Sequence, residues 1–576
     1  MPGFLISNFA RQGELVNYDN TRCIQDQKQY RMWTIKRNTL NKFTDDKLLS
    51  ECDKYIIVIE GVIYNKLEII ERYEKENWEN TLRAMIERNP YSFFEIFDGP
   101  FSGAVYFKMD HKWMVFTGPL GEKAVFYYCD RKHFLAGSQL NYISDTLRIN
   151  DITRKPDVDG INTFLGYGYY LDDTTCLKEV KRLYPGNFIF YDENTGLVEY
   201  KSYYKADYAE IKGYHEDYWI DRMHDSFNKA VEKILKKNKE YGYKTLLDIS
   251  SGGDSRMICY TAKECNAEDV MLDCYAQSGS GDAVTSQHIA NKIGYSYIYL
   301  SIDNADSLMH VDENVLMTNG CTIYYGITGG KVMLEALDRE LFGLEITGLL
   351  GDVHDGSMVT SYPGAPIDLT MKKYRVSNTL VPYKEFPVKS NVCQYFENNI
   401  NEHFWFYQRG MLFGMTSYFI RQNFLEVGTP FGDLEFLKAY HSAPWQDRVH
   451  GHLLRKWMIK YFPNAADINY GETGTSIKNS ILPGMETYIT WKRRCKKALR
   501  SILNIDRPVG MNDFEYWYRH NPHFHQYIDT YIEENRTYAD IDKTIRNNVE
   551  KLLGSNIITD KLLAVTALSV IKNFIN

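Results

Sequence analysis

The sequence predicts an α/β chain in two parts. Two facing sheets with flanking helices come first, followed by a parallel sheet with crossover helices and a helical extension. Three observations carry this. Residues 1 to about 205 hold short apolar, β-branched or aromatic runs separated by turn residues. From Tyr218 onward, strand-like runs alternate with helical patterns. Residues 481–576 read as mostly helical and close on an apolar run from Leu562 to Ile575, broken by Ser569, Lys572 and Asn573.

In the first part, strands are expected at Phe4–Ile6, Tyr55–Ile59, Ala104–Phe107, Trp113–Thr117, Ala124–Tyr128 and Phe188–Tyr191. Turns are marked by Asp98-Gly99, Asp110-His111 and Pro185-Gly186, and helices are expected over Asn80–Glu87 and Asp157–Leu165. The mixed, polar stretch Lys201–Tyr214 reads as a linker.

In the second part, Ile220, Met223, Phe227, Ala230, Val231, Ile234 and Leu235 fall at helical spacing over Tyr218–Lys236. The run Leu246–Ile249 then predicts a strand, Ser250-Ser251-Gly252-Gly253-Asp254-Ser255 a turn, and a helix opens at about Arg256. A second strand at Asp269–Tyr275, a helix at Ala283–Ile293 and a third strand at Tyr295–Ile302 complete βαβ units and imply a parallel sheet. Ligands of such sheets sit at the carboxyl ends of strands, where Ser250–Ser255 falls.

Strand, glycine- and hydroxyl-rich turn, then helix make an anion site. Unsatisfied amides and the helix dipole point outward, and glycines allow close approach. No Lys follows the glycines, so this is not the GxxxxGK[ST] loop. Asp254 stands there instead. It would repel phosphate oxygens directly but can hold Mg²⁺ that bridges to them. Farther on, Leu344–Leu350 leads into Gly351-Asp352, again a strand running into a glycine turn with an acid. Asp282 reads equally as an N-terminal helix charge or as part of the site. His354-Asp355 reads as a hydrogen-bonded turn, and His520, His523 and His525 as a solvated cluster.

The formal charge of −8 argues against a general nucleic-acid binder. Hydrophobic content of 44% and charged content of 25% suit packed cores, and 576 residues suit roughly two to four domains. Ten scattered cysteines with no CxxC pair suggest reduced thiols in a cytoplasmic protein. The start, MPGFLISNFARQGE, lacks a signal peptide's basic and apolar regions, and no run of about 18 apolar residues predicts a membrane span.

Ser250–Ser255 resembles the pyrophosphate loop SGGxDS of the ATP pyrophosphatases, with Ser251 in place of the first glycine. The ending DSR is similar to the asparagine-synthetase-like branch. Gly348–Val353 resembles that family's GxGxDE, with Val353 replacing the last acid. Gly61–Asn65 resembles its GEIYN, Phe97–Phe101 its FDGxF, and Gly118–Tyr128 the segment after its DRxG turn. Pro430–Asp433 resembles PFLD, Leu454–Lys456 LRKA, and Pro463–Ile468 LPxxI.

The resemblance implies an Ntn-like αββα glutamine amidotransferase-like domain at 1–205. An ATP-pyrophosphatase domain (adenine nucleotide α-hydrolase-like) would follow at 215–480, with a helical extension at 481–576. It implies ATP at Ser250, Ser251, Gly252, Gly253, Asp254, Ser255, Gly348 and Gly351, and Mg²⁺ at Asp254 and Asp352. The implied reaction adenylates a carboxylate and passes it to an amine. The partners would be those two substrates, whether small molecule, sugar or peptide, and a homo-oligomer is compatible with the sequence.

Three departures bear on function. The family starts Met-Cys-Gly and uses the Cys thiol on glutamine; here Pro2 stands there, so no glutaminase activity is expected, as in β-lactam synthetases and lasso-peptide cyclases. Leu349 occupies the position of the residue that deprotonates the attacking nitrogen. Gly471-Glu472-Thr473 stands where the family has RxK, leaving Lys478 or Lys456 as the substitute cation. The rival readings are a glutamine-hydrolysing asparagine synthase and a catalytically silent nucleotide-binding protein.

Overall fold

The computed structural model describes residues 2–16, 18, 22–354, 375, 400–470, 474–480, 488, 491, 495, 508 and 510–576. Two six-stranded antiparallel sheets face each other at the N-terminus. One has the order Val180–Arg182, Phe126–Cys129, Phe134–Gly137, Gly3–Ser7, Trp33–Leu40, Cys23–Tyr30. The other runs Leu197–Ser202, Asn187–Asp192, Lys112–Thr117, Phe101–Phe107, Tyr55–Gly61, Leu48–Glu51.

Side-chain alternation explains the layering. Phe4 and Ile6 point between the sheets, where they meet Ile56, Val58, Ala104 and Trp113. Leu5 points the other way, into a core with helices Leu140–Ile149 and Val158–Tyr167. Ile57 and Ile59 likewise point outward, beneath helices Lys66–Tyr73 and Trp78–Arg88. The result is the expected αββα sandwich.

All six expected strands are present with ends moved by a few residues, and six more accompany them. The missed strand Cys23–Tyr30 is polar and lies at a sheet edge with few buried positions, so it lacks the apolar alternation that marks a half-buried strand.

The second part is a five-stranded parallel sheet. Its order is Ser296–Ser301, Val270–Ala276, Lys244–Asp248, Phe342–Ile346, Glu426–Gly428. One face carries helices Glu216–Glu240, Gly253–Glu264 and Gly281–Ile293. Leu247, Leu272 and Ile346 pack there against Met223, Phe227 and Met257. The other face carries Leu246, which meets Met317, Leu334 and Ile420 from helices Val311–Met317, Gly329–Ala336 and Ser417–Arg421.

From the central strand Lys244–Asp248 the chain builds outward in one direction through Val270 and Ser296, then in the other through Phe342 and Glu426. The order therefore reverses between Lys244–Asp248 and Phe342–Ile346, and the crevice beyond such a reversal is where open α/β sheets bind ligands.

The linker has no regular secondary structure over 203–215 but is packed. The Ala206 amide donates to the Tyr407 hydroxyl at 2.9 Å, and Tyr208 is buried beside His403, Phe406 and His441. At the C-terminus, helices Pro522–Asn535, Lys543–Leu553 and Ile558–Val570 share one core with the outer face of the first sheet. The polar residues that interrupt the terminal apolar run have a purpose there. Ser569, Lys572 and Asn573, with Tyr531, all donate to Asp312 at 2.6 to 2.9 Å. Burial would raise the Asp312 carboxyl, but these donors hold it below its ordinary range.

Ion pairs, several of them buried, tie the sandwich to the parallel sheet. Lys47 and Lys123, from the sandwich, both reach Glu426 at 2.7 Å. Asp46 binds Lys66 and Lys237 and accepts from Tyr241. Lys233 bridges Asp98 of the Phe97-Asp98-Gly99 turn to Asp433 of Pro430–Asp433, at 2.7 and 2.6 Å.

Burial raises the Glu426 carboxyl, but the two lysines outweigh it and bring it down to about 2. An acid lowered in the folded state contributes stability that is present above its unfolded pKa, near 4.3, and is lost as pH falls through the folded value. Glu426→Ala, which removes the carboxylate shared by two buried ammonium groups, is expected to cost about 3–5 kcal/mol. Glu426→Gln should flatten the fall of Tm between roughly pH 4.5 and 2. Urea unfolding and pH-dependent thermal melts check both.

Candidate functional site

The site lies beyond the two strand tips at the reversal point. The helix after Lys244–Asp248 opens at Gly253, three residues before the expected Arg256, so Asp254 and Ser255 belong to its first turn. The earlier start follows from glycine at both Gly252 and Gly253, which lets the chain enter the helix without a side chain in the way. A Cβ on Gly253 would lie 3.0 Å from the Tyr470 hydroxyl. The first-turn amides of this helix have no intrahelical acceptor and face the crevice with the positive end of the dipole.

The turn before it is held by its own hydroxyls. The Ser250 amide donates to Ser255 Oγ at 3.0 Å, and the Gly252 amide to Ser250 Oγ at 3.1 Å. Asp282 is more than a charge at a helix start, since it accepts from both the amide and the hydroxyl of Ser251, at 2.9 and 2.8 Å. Arg256, fully buried, donates to the carbonyls of Ser251, Ala465 and Ile468 and lies over the Tyr470 ring. It thereby ties the turn to the Pro463–Ile468 stretch.

The second turn abuts the first. Gly351 is in such close contact with Asp254 that a Cβ there would overlap its carboxyl carbon, and a Cβ on Gly348 would lie 3.1 Å from Asp254 Cβ. The carboxyls of Asp254 and Asp352 lie within hydrogen-bonding reach of one another, a contact in which one of them carries the proton when no cation lies between them. Leu350 has φ +70°, a left-handed conformation that costs a bulky residue of order 1–3 kcal/mol. In the pattern GxGxDE this is the position of the second glycine, where that conformation is free.

Asp352 keeps exposed surface although protein atoms crowd it, as on the floor of a cleft. Burial pushes its carboxyl up, partly offset by Arg409 and by the hydrogen bond with Asp254. Two carboxylates in contact, beside serine hydroxyls and a helix start, are a donor set that fits Mg²⁺ and phosphate oxygens. Among the described residues no group of three or more His, Cys, Asp or Glu could hold a metal by itself.

Beneath the tips lies a buried charge cluster that the sequence reading missed. Asp248, Asp273 and Glu345 share one face of the sheet. Arg421 pairs with Glu345, with Asp248 at 2.9 Å, and with the Tyr275 hydroxyl. One cation among three acids leaves a deficit. Burial, with Asp248 adjacent, lifts the Asp273 carboxyl to about 8. A sequence signal existed: acids at Asp248, Asp273 and Glu345 interrupt strands that otherwise read as buried.

Lys478 is 55% exposed and pairs with Asp467 at 3.3 Å, and Lys456 pairs with Glu216. Leu349 is partly buried against the main core, and its carbonyl accepts from the Thr429 hydroxyl at 2.7 Å. Residues 471–473 and Asp355 lie outside the described residues. Among the described residues, Arg409, from a π-helical turn over Phe404–Met411, is a cation near the paired acids. Its only sequence signal was a lone charge in an aromatic run, FWFYQRGM. At the other end of the chain, Pro2 is buried at the head of strand Gly3–Ser7, whose Phe4 amide donates to Ser138 Oγ at 3.1 Å.

Residues 38–204 match the family of glutamine amidotransferase domains. The match covers well under half of the chain and speaks for the sandwich alone, which is amidotransferase-like. No curated protein matches the chain by sequence. Similar solved structures include the allosteric regulatory enzyme of purine biosynthesis, at 9% identity, 52% of this chain, 74% of that one and a TM-score of 0.23. Another is glutamine phosphoribosylpyrophosphate (PRPP) amidotransferase from B. subtilis complexed with ADP and GMP, at 10% identity, 52%, 85% and 0.23. At that TM-score neither likeness carries an argument here. No helix among the described residues is long and apolar enough to cross a membrane.

Asp273 offers a test of the buried cluster. An acid whose folded pKa is raised binds more protons folded than unfolded between roughly pH 4 and 8, so stability falls as pH rises through that window. Asp273→Asn should remove that slope and be more stabilising at pH 8 than at pH 5. Urea unfolding at the two pH values reads the difference, and equal shifts at both would mean that Asp273 is ionised in the fold.

Proposed function

We propose that the protein is an ATP-dependent ligase that adenylates a carboxylate, releasing pyrophosphate, and passes the acyl group to an amine with loss of AMP. The observation that carries this reading is the contact between Asp254 and Asp352, two acids from neighbouring strand tips at the sheet's reversal point. In this reading the two carboxylates hold Mg²⁺, which supplies Lewis-acid charge to the phosphates. Ser250, Ser251, Gly252, Gly253 and Ser255, with the first-turn amides, orient the triphosphate. Gly348 and Gly351 keep the second turn against Asp254. Asp282 and Arg256 fix the first turn from behind through Ser251.

The sandwich supports the same reading in a negative way. It is amidotransferase-like, yet Pro2 has neither thiol nor hydroxyl, so the ligase would take its amine from a source other than glutamine hydrolysed in this domain. Leu349 moves no proton, so the amine would lose its proton to another group or arrive as the free base.

Pyrophosphate exchange into ATP, dependent on an added carboxylate, tests the proposal. Exchange is expected in the wild type and should fall by 10²-fold or more, on the order of about 3 kcal/mol of transition-state stabilisation, in Asp254→Asn and in Asp352→Asn. Glutaminase activity should be absent. Wild-type protein that binds ATP but exchanges nothing across a panel of amino acids, peptides and sugar acids would leave a binder and not a ligase.

A further inference from the structure

We propose that Arg409 is an anion-binding residue of this site, its guanidinium taking phosphate oxygens of the metal-bound ligand that Asp254 and Asp352 hold. This rests on the ligase reading above and adds to it a residue that no motif marks.

The turn Phe404–Met411 is π-helical, with the Leu412 amide donating to the Tyr407 carbonyl at 2.8 Å. It runs directly against the acid turn: a Cβ on Gly410 would lie 3.1 Å from Leu350 Cδ2 and 3.2 Å from Val353 Cγ2. Those two residues flank Gly351-Asp352. Arg409, the residue before Gly410, lays its guanidinium over the Phe413 ring at 4.0 Å, and Phe413 in turn meets Tyr169 at 5.2 Å. A partly buried cation is thus held on an aromatic shelf beside the paired acids.

The unusual property is what it does not bind. Other buried arginines use their donors. Arg256 takes three carbonyls, Arg421 two carboxylates and a hydroxyl, and Arg448 the Glu402 carboxylate and the Ala443 carbonyl. Arg182 donates to the Leu412 carbonyl. Arg409 has no hydrogen bond or ion pair among the described residues. Five N–H donors in a fixed fork, without protein acceptors, suit a planar or tetrahedral oxyanion. Holding a partly desolvated cation with a ring face and the nearby Asp352 charge but no hydrogen-bond acceptor is costly, and a ligand anion would offset that cost. The charge also fits the chemistry: carboxylates that hold a divalent cation leave phosphate oxygens on the far side of it without a counter-charge.

Isothermal titration of Mg²⁺-pyrophosphate, and separately Mg²⁺-ATP, into the full chain tests this without relying on turnover. Arg409→Ala should weaken pyrophosphate on the order of 10- to 100-fold, as expected for lost charge-assisted hydrogen bonds. It should also reduce the salt dependence of binding. Arg409→Lys, which keeps the charge but loses the fork, should fall between. Arg409→Gln, which keeps much of the stem on Phe413, serves where the alanine variant fails to fold, and melting temperatures report that. Pyrophosphate bound equally by wild type and the alanine or glutamine variant overturns the role of Arg409 while leaving the ligase reading standing. A folded wild type that binds neither probe overturns both.

Discussion

The arrangement of the site depends on one guanidinium. Arg421, buried at the end of helix Ser417–Arg421, grips Asp248, Glu345 and the Tyr275 hydroxyl. Those three groups stand on three adjacent strands, two of which lead into the acid-bearing turns. Hydrogen bonds between strands set spacing and direction, but the position of the tips also depends on what lies under them. A single cation shared by neighbouring strands holds the tips together, and glycine pair Gly329-Gly330 lets the covering helix approach it closely. A Cβ on Gly330 would lie 2.9 Å from Arg421 Nη2. Removing one member of such a buried cluster leaves uncompensated charge, which is why clusters of this kind fix one geometry even where their net stabilisation is small.

Above this anchor the two turns are made in different ways. The first is short-range: serine hydroxyls satisfy amides within five residues, and the helix begins as soon as the glycines permit. The second is strained, with Leu350 in the left-handed region. Its strain is held by neighbours, since Leu350 and Val353 are buried against the main core and Thr429 donates to the Leu349 carbonyl. Strain of this kind persists only where the surroundings over-determine it, and here the outcome is that Gly351 and Asp352 reach Asp254.

The amidotransferase-like sandwich is tied to the parallel sheet by charge pairs. Glu426 at the edge of the parallel sheet is neutralised by two lysines of the sandwich, and Lys233 joins a turn of one part to a turn of the other. The C-terminal helices bury their apolar faces against the sandwich's outer helices. The two halves therefore cannot part without exposing paired charges and a shared core. This ties the geometry of the cleft to a domain that performs no chemistry in the proposed reaction.

The α/β class, the sandwich, the parallel sheet and both acid-bearing turns were legible in the sequence by itself. These features are local: alternation over five or six residues, helical spacing over twenty, glycine and serine at a strand's end. Strand Cys23–Tyr30 escaped because an exposed edge strand carries no apolar code. Other features were settled only by tertiary structure, because they join residues far apart in the chain. Arg421 and Asp248 are 173 positions apart, and Ser251 and Asp282 are 31 apart. Lys478, read with Lys456 as a substitute for a missing family cation, is 55% exposed and pairs with Asp467. Arg409 is brought near the acids by a π-helical turn that no sequence pattern announces. A charge's role depends on what surrounds it, and only the folded chain sets those surroundings.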